Sequence, residues 1–153
     1  MKKALKVFII VIIVLFAIAQ FVRPDRTLPA IDSEQTLGAT ATVPDDVNAI
    51  LSRSCNDCHS NETVYPWYSN VSPASWFLQD HINEGRSELN FSLWGTYAES
   101  RKARKLDEIC ENAKSREMPL PSYLWIHRDA RLSDDEIARL CRWTEQARSE
   151  LGQ

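Results

Sequence analysis

The sequence of 153 residues predicts an all-α fold with one small domain. Three observations support this prediction. Apolar side chains recur at helical spacing in several separate segments, and prolines and glycines fall between those segments. No run alternates apolar and polar residues as a half-buried strand does. An apolar content of 44% over this length is enough for a single hydrophobic core.

The first predicted element is an apolar helix behind a basic start. Three lysines within the first six residues precede an uninterrupted apolar run over residues 7–19, an order typical of export segments. Ala17-Ile18-Ala19 matches the small-x-small pattern of a cleavage site, whereas residues 5–22 approach the length of a membrane span. Residues 1–22 are therefore predicted to be a signal peptide or a membrane anchor, and both readings stay open. The rest of the chain is then expected in the periplasm or on the outer face of the inner membrane.

A linker and a domain follow this segment. Residues 23–43 mix Pro, Gly, Ser and Thr with scattered charges and show no apolar period, which predicts a tether. The folded domain is predicted over residues 44–153. Three of the 18 basic side chains lie in the basic start, so the remainder has 15 basic and 21 acidic side chains. Nucleic acid is excluded as a partner because its binding requires a basic face.

The first helix of the domain is predicted to start near Pro44 and to lead directly into Cys55. Either Asp45 or Asp46 is expected to cap its N-terminus. Turn-forming and aromatic residues over 60–71 then predict an irregular loop that packs through its rings.

Three further elements complete the domain. Ser72 and Pro73 are typical of a helix start, and Gly85 is expected to end this second helix. A third helix is predicted from about Thr96 to Ala113, before prolines stop helix formation. The last helix starts with a capping box, formed by Ser133 and Glu136. Its predicted apolar stripe is Ile137, Leu140, Cys141, Thr144, Ala147 and Leu151.

Cys55, Cys58 and His59 form a C-x-x-C-H motif, the attachment signature of c-type haem. Side chains at i and i+3 of a helical turn share a face, so both thiols can reach one edge of a flat ligand. The thiols add to the haem vinyl groups as thioethers, and neutral His59 offers a nitrogen to the iron. The motif therefore predicts one covalently bound haem c.

Three other uses of these cysteines are a plain disulfide, a thioredoxin-like redox couple and a zinc site. A redox couple expects a βαβ context, which the sequence does not offer. A zinc site would require Cys110 and Cys141 to complete it, and they stand far apart on separate predicted helices. A zinc site and a plain disulfide remain as alternative hypotheses, and haem is favoured over both.

Aromatic residues are numerous after the motif, and a porphyrin needs apolar walls. Each ring is equally well explained as part of the protein's own core. The candidates for the wall are Tyr65, Trp67, Tyr68, Trp76, Phe77, Phe91 and Trp94.

The second axial ligand of the iron is predicted to be Met118, with His81 and His127 as alternatives. Met118 is the only methionine after Met1, and it precedes two prolines on a stiff irregular segment. Thioether ligation raises the reduction potential, and a second histidine would give a lower one. The competing role for a lone methionine is to fill the core.

Cys110 and Cys141 remain after the motif is assigned. In an oxidising compartment they are expected to form a disulfide between the third and last helices. Such a bridge closes a loop of about 30 residues and stabilises the fold by roughly 3 kcal/mol. Two buried free thiols are the alternative.

Three runs of the sequence resemble the haem-binding domain family of exported bacterial c-type cytochromes. They are CNDCHSNETVYPWYSNVSPASW, HINEGRSELNFSLW and EMPLPSYLWIHRDARLSDDE, and the resemblance extends over residues 44–148. It implies a small cytochrome c-like domain in which Cys55 and Cys58 bind haem, His59 is the proximal ligand and Met118 the distal one. The family's motifs also include the positions of His81, Gly85, Arg86, Asn90, Trp94, Tyr123 and His127.

The function expected from these features is single-electron transfer by an exported monohaem cytochrome. Its partners would be periplasmic or membrane redox proteins, and its net acidic domain favours a basic docking face on the partner. An electron carrier is favoured over an enzyme. The alternative is a haem-based sensor or a peroxidase-like enzyme, in which the sixth iron site is open or easily displaced.

Overall fold

Helices form all the regular structure in the computed structural model, which describes residues 1–152. No strand is present in that range, which confirms the all-α prediction. The α-helices are α1 (Lys2–Ala19), α2 (Leu37–Thr40), α3 (Asp45–Ser54), α4 (Asn56–His59), α5 (Ala74–Glu88), α6 (Glu99–Lys114) and α7 (Asp134–Glu150). Five 3-10 helices lie between them at Ser33–Gln35, Trp67–Asn70, Phe91–Thr96, Tyr123–Trp125 and Arg128–Ala130.

The end of α1 contacts the domain. The Gln20 amide donates a hydrogen bond to the Ser72 carbonyl oxygen at 3.0 Å and accepts one from the Ser72 N–H at 3.0 Å. The Trp76 indole N–H donates to the Val22 carbonyl oxygen at 2.7 Å. Within residues 1–152, no helix combines the length and the apolar character needed to cross a membrane.

Part of the predicted linker packs on the domain. Leu37 in α2 is buried in the hydrophobic core, and the Trp143 indole N–H donates to the Thr42 carbonyl oxygen at 3.0 Å. The structure thus corrects the tether prediction for residues 33–43. A helix of one turn is too short to show an apolar period, so the pattern could not reveal it.

The core lies between α3, α6 and α7. A disulfide between Cys110 and Cys141 joins α6 to α7, with 4.8 Å between the two Cα atoms. The predicted capping box of α7 is present, because the Ser133 hydroxyl accepts from the Glu136 N–H and the Glu136 carboxylate accepts from the Ser133 N–H. The buried apolar side chains of α7 are Ile137, Leu140, Cys141, Trp143 and Ala147.

The N-terminal cap positions of two helices differ from the predicted ones. Asp45 and Asp46 lie in the first turn of α3 and make no capping bond, and Pro44 takes the cap position. Their charges still complement the positive end of the helix macrodipole. In α5 the cap position falls on Pro73, one residue beyond the predicted Ser72.

Two other helix boundaries also differ from the predictions. Gly85 does not end α5, which continues to Glu88. Helix α6 begins at Glu99 and not near Thr96, because the 3-10 helix Phe91–Thr96 takes up the preceding residues. The longer α5 has a consequence for the site, since it brings Gly85 against the cysteine motif.

Candidate functional site

The cysteine motif lies where α3 ends and α4 begins. Cys55 follows the last turn of α3, and its N–H donates to the Leu51 carbonyl oxygen at 2.9 Å. Cys58 and His59 lie in the single turn of α4, where the His59 N–H donates to the Cys55 carbonyl oxygen at 3.0 Å. Both cysteines are unpaired and partly buried. The turn predicted for the motif is therefore present, and it packs against α5.

His59 is oriented by two backbone carbonyl groups. Its Nδ1 lies 2.9 Å from the Gly85 oxygen and 3.0 Å from the Leu89 oxygen. Since a carbonyl oxygen only accepts, Nδ1 carries the proton and Nε2 is left with a free lone pair. Burial lowers the pKa of His59 from its usual value, which favours the neutral imidazole. This is the arrangement in which a protein holds a metal-ligating histidine.

Gly85 makes this orientation sterically feasible. A Cβ atom on Gly85 would lie 2.9 Å from the Cys58 carbonyl oxygen, closer than real Cβ contacts allow. Glycine therefore lets α5 approach α4 closely enough for its carbonyl oxygen to reach His59. In the sequence, Gly85 is predicted to be a helix end, and the only signal of this other role is its place in the family pattern.

The two free thiols are in their neutral form. Burial raises the pKa of Cys55 to about 12 and that of Cys58 to about 11. Redox-active cysteines of the thioredoxin type have depressed pKa values, so the thioredoxin-like reading is disfavoured. The zinc reading is also disfavoured, because the disulfide between Cys110 and Cys141 removes both proposed ligands.

Two adjoining cavities surround the motif. Their volumes are about 200 and 240 Å³, and both are lined by Cys55, His59 and Met118. The first cavity extends over apolar side chains of the core, which include Leu89, Phe91, Ile109, Leu132 and Leu140. The second is also lined by Cys58, His81, Gly85, Leu120 and Tyr123. The structure thus brings together the four residues that the sequence predicted to hold a haem.

The two alternative ligands differ in position. His81 lines the second cavity, and its Nδ1 lies 2.8 Å from the Phe77 carbonyl oxygen of its own helix. His127 lines neither cavity. Its Nε2 lies 2.9 Å from the Tyr68 hydroxyl oxygen, and its ring stacks on Tyr123.

The aromatic candidates do not share one environment. Phe91 lines the first cavity. A neighbouring groove that begins at Cys58 is lined in part by Trp67, Tyr68 and Phe77. Trp94 is buried in the core, and the structure places Tyr65 and Trp76 in neither cavity.

Charged residues that the sequence did not predict for the site line the first cavity. Lys105 is only 7% exposed, and its ammonium group lies 2.5 Å from a Glu108 carboxylate oxygen and 3.4 Å from one of Glu88. The sequence indicates this burial in one way. Lys105 stands four residues before Ile109, which puts the two side chains on one face of the helix. Charged residues are rarely buried in a wall that serves only for packing, so Lys105 distinguishes this wall of the first cavity from the rest of the core.

The donor set agrees with a c-type haem site. His59, whose Nε2 has a free lone pair, and Met118 line both cavities, and Cys55 and Cys58, one helical turn apart, both line the second. Histidine and methionine are the axial ligands of cytochromes c, and the thiols are the groups that form thioethers.

Comparison with known proteins gives one match. A family model described as a haem-binding domain matches residues 14–146. No curated protein and no solved structure matches the chain.

Proposed function

The chain belongs to the haem-binding domain family, and from this membership we propose that it is a c-type cytochrome with one covalently bound haem that transfers single electrons. The observation that supports this best is the shared lining of the two cavities by Cys55, His59 and Met118. Bound haem supplies an iron that changes between the ferric and ferrous states by one electron.

Each residue of the candidate site has a distinct part in this proposal. Cys55 and Cys58 would hold the haem through thioether bonds, in which each sulfur would bond to a vinyl carbon and the thiol hydrogen would go to the neighbouring carbon. This addition needs no oxidant or reductant. His59 would hold the iron through Nε2, because Nδ1 is engaged by the Gly85 and Leu89 carbonyl oxygens.

Met118 decides between an electron carrier and a sensor or enzyme. As an iron ligand, the Met118 thioether sulfur would exclude gas and peroxide, and it would favour the ferrous state. This preference suits a carrier that accepts one electron and passes it on.

We further propose that the protein is exported, either with a cleaved signal or with residues 5–22 as a membrane tether. The basic start followed by an apolar helix supports export. The disulfide between Cys110 and Cys141 also supports it, because such bonds persist in oxidising compartments. The redox partners would then be periplasmic or membrane proteins.

Covalent attachment is tested by expression of the chain with a haem-maturation system, followed by a denaturing gel stained for haem. The wild-type band should stain, and a Cys55→Ala/Cys58→Ala variant should not. The matched control replaces the other two cysteines, as Cys110→Ala/Cys141→Ala, and should stain. A colourless wild-type band whose cofactor extracts into acidified organic solvent would contradict the proposal.

Electron transfer is tested on the same purified protein. A redox titration followed by absorption should fit a single one-electron step. The reduced protein should bind carbon monoxide weakly, since Met118 occupies the sixth position. Rapid and tight binding of carbon monoxide would favour the sensor or peroxidase-like alternative.

A further inference from the structure

The segment that includes Met118 has little regular structure to hold it. It joins α6 to α7 over residues 115–133, and its only helices are the single turns Tyr123–Trp125 and Arg128–Ala130. Met118 is 37% exposed. Its N–H donates to the Asn112 carbonyl oxygen at 3.1 Å, which fixes only one side of the residue. A ligand on such a segment needs contacts further along the chain to keep its position.

One such contact links this segment to the cysteine motif. The Tyr123 hydroxyl donates to a carboxylate oxygen of Asp57 at 2.9 Å, across 66 residues of sequence. The other carboxylate oxygen of Asp57 accepts from the Val64 N–H at 3.0 Å. Asp57 lies between Cys55 and Cys58, so it is fixed on the attachment turn itself.

A second contact supports the first. The His127 ring stacks on Tyr123 with 4.1 Å between ring centroids and 5° between planes. His127 Nε2 in turn lies 2.9 Å from the hydroxyl oxygen of Tyr68, which belongs to the 3-10 helix Trp67–Asn70. The ring of Tyr123 is therefore held from its face by His127 and from its hydroxyl by Asp57.

We propose that these contacts form a clamp that keeps the sulfur of Met118 on the haem iron. The clamp consists of Asp57, Tyr68, Tyr123 and His127. Its members act as positioning residues, and the inference rests on the proposed function. Thioether bonds on either side of Asp57 fix this residue relative to the haem, and Tyr123 follows Met118 by only five residues. The hydrogen bond between Tyr123 and Asp57 therefore limits how far the Met118 sulfur can move from the iron.

The clamp is tested on the ferric haem protein with Tyr123→Phe, which removes only the hydroxyl group. A hydrogen bond to a charged acceptor changes an equilibrium constant about tenfold or more. Imidazole, which competes with Met118 for the iron, should therefore bind about tenfold more tightly to the variant. The sulfur-to-iron absorption band should weaken, and the haem content should not change.

Tyr65→Phe is the matched control. The Tyr65 hydroxyl donates to the Gln79 side chain at 3.0 Å and makes no hydrogen bond to residues 115–133. Its imidazole affinity should equal that of the wild type. Equal affinities for Tyr123→Phe and wild type, or equal increases in both variants, would overturn the clamp.

A second variant covers the case in which Tyr123→Phe does not fold. Tyr68→Phe removes the contact with His127 and should tighten imidazole binding in the same direction, by about two- to tenfold for a neutral hydrogen bond. Wild-type affinity in Tyr68→Phe would then overturn the clamp. A wild-type protein that attaches haem but lacks the sulfur-to-iron band would contradict Met118 as the ligand, which is a separate failure of the proposed function.

Discussion

The carbonyl oxygen of Gly85 lies 2.9 Å from Nδ1 of His59, although 26 residues separate them in the sequence. Helix α5 therefore sets the orientation of the imidazole that belongs to the cysteine motif. The same contact ties the stability of the fold to the site, because α5 can approach α4 only where residue 85 has no Cβ.

We expect Gly85→Ala to impair the site. The added methyl group would meet the Cys58 carbonyl oxygen and push α5 away from α4, at a cost of about 1–3 kcal/mol in the free energy of unfolding. Urea unfolding and haem staining measure the two effects. Gly38→Ala is the control, since a Cβ there meets nothing within 4 Å. Equal stability of the two variants would contradict this role for Gly85.

Replacement of Met118 by leucine should lower the reduction potential and keep the haem attached. Leucine has a similar volume and no sulfur, so packing should change little, whereas under the proposed function the iron would lose a ligand that favours the ferrous state. The fall should lie within the range of about 0.8 V over which axial ligands tune haem. Leu120→Ala is the control, because it alters the cavity wall without removing sulfur. An unchanged potential in Met118→Leu would show that another residue binds the iron.

Loss of the disulfide should destabilise the protein by about 3 kcal/mol, because the unfolded chain regains the freedom of a loop of about 30 residues. The variant is Cys110→Ala/Cys141→Ala, and urea unfolding measures the change. Thiol titration of the denatured, unreduced haem protein should find no free thiol. Two titratable thiols would show that Cys110 and Cys141 are not joined.

The capping box of α7 should make stability depend on pH. The hydrogen bond from the Ser133 backbone lowers the pKa of Glu136 to about 2, from 4.5 in an unperturbed carboxyl. A carboxyl with a depressed pKa in the folded state stabilises above its unfolded pKa and loses this effect as the pH falls.

Glu136→Gln keeps an acceptor at this position and does not titrate. Wild type should be more stable than this variant by about 1 kcal/mol above pH 4.5. The difference should disappear as the pH falls to about 2. Denaturant unfolding over this pH range measures it, and a difference that does not vary with pH would contradict the prediction.

The sequence by itself determined the features that depend on neighbouring residues. The helical period of apolar side chains predicted the all-α class, and the spacing of Ser133 and Glu136 predicted the capping box. The spacing of Cys55, Cys58 and His59 predicted the haem, and the chain's family is that of haem-binding domains. Each of these patterns spans one or two helical turns, so local geometry fixes which side chains meet.

Only the tertiary structure decided the contacts between distant segments. It showed that Gly85 lies inside α5 against Cys58, that Lys105 lines the first cavity and that Leu37 belongs to the core. It also joined Asp57 to Tyr123. Such contacts depend on how whole helices pack and on the space left between their backbones, and no local periodicity in the sequence records either quantity.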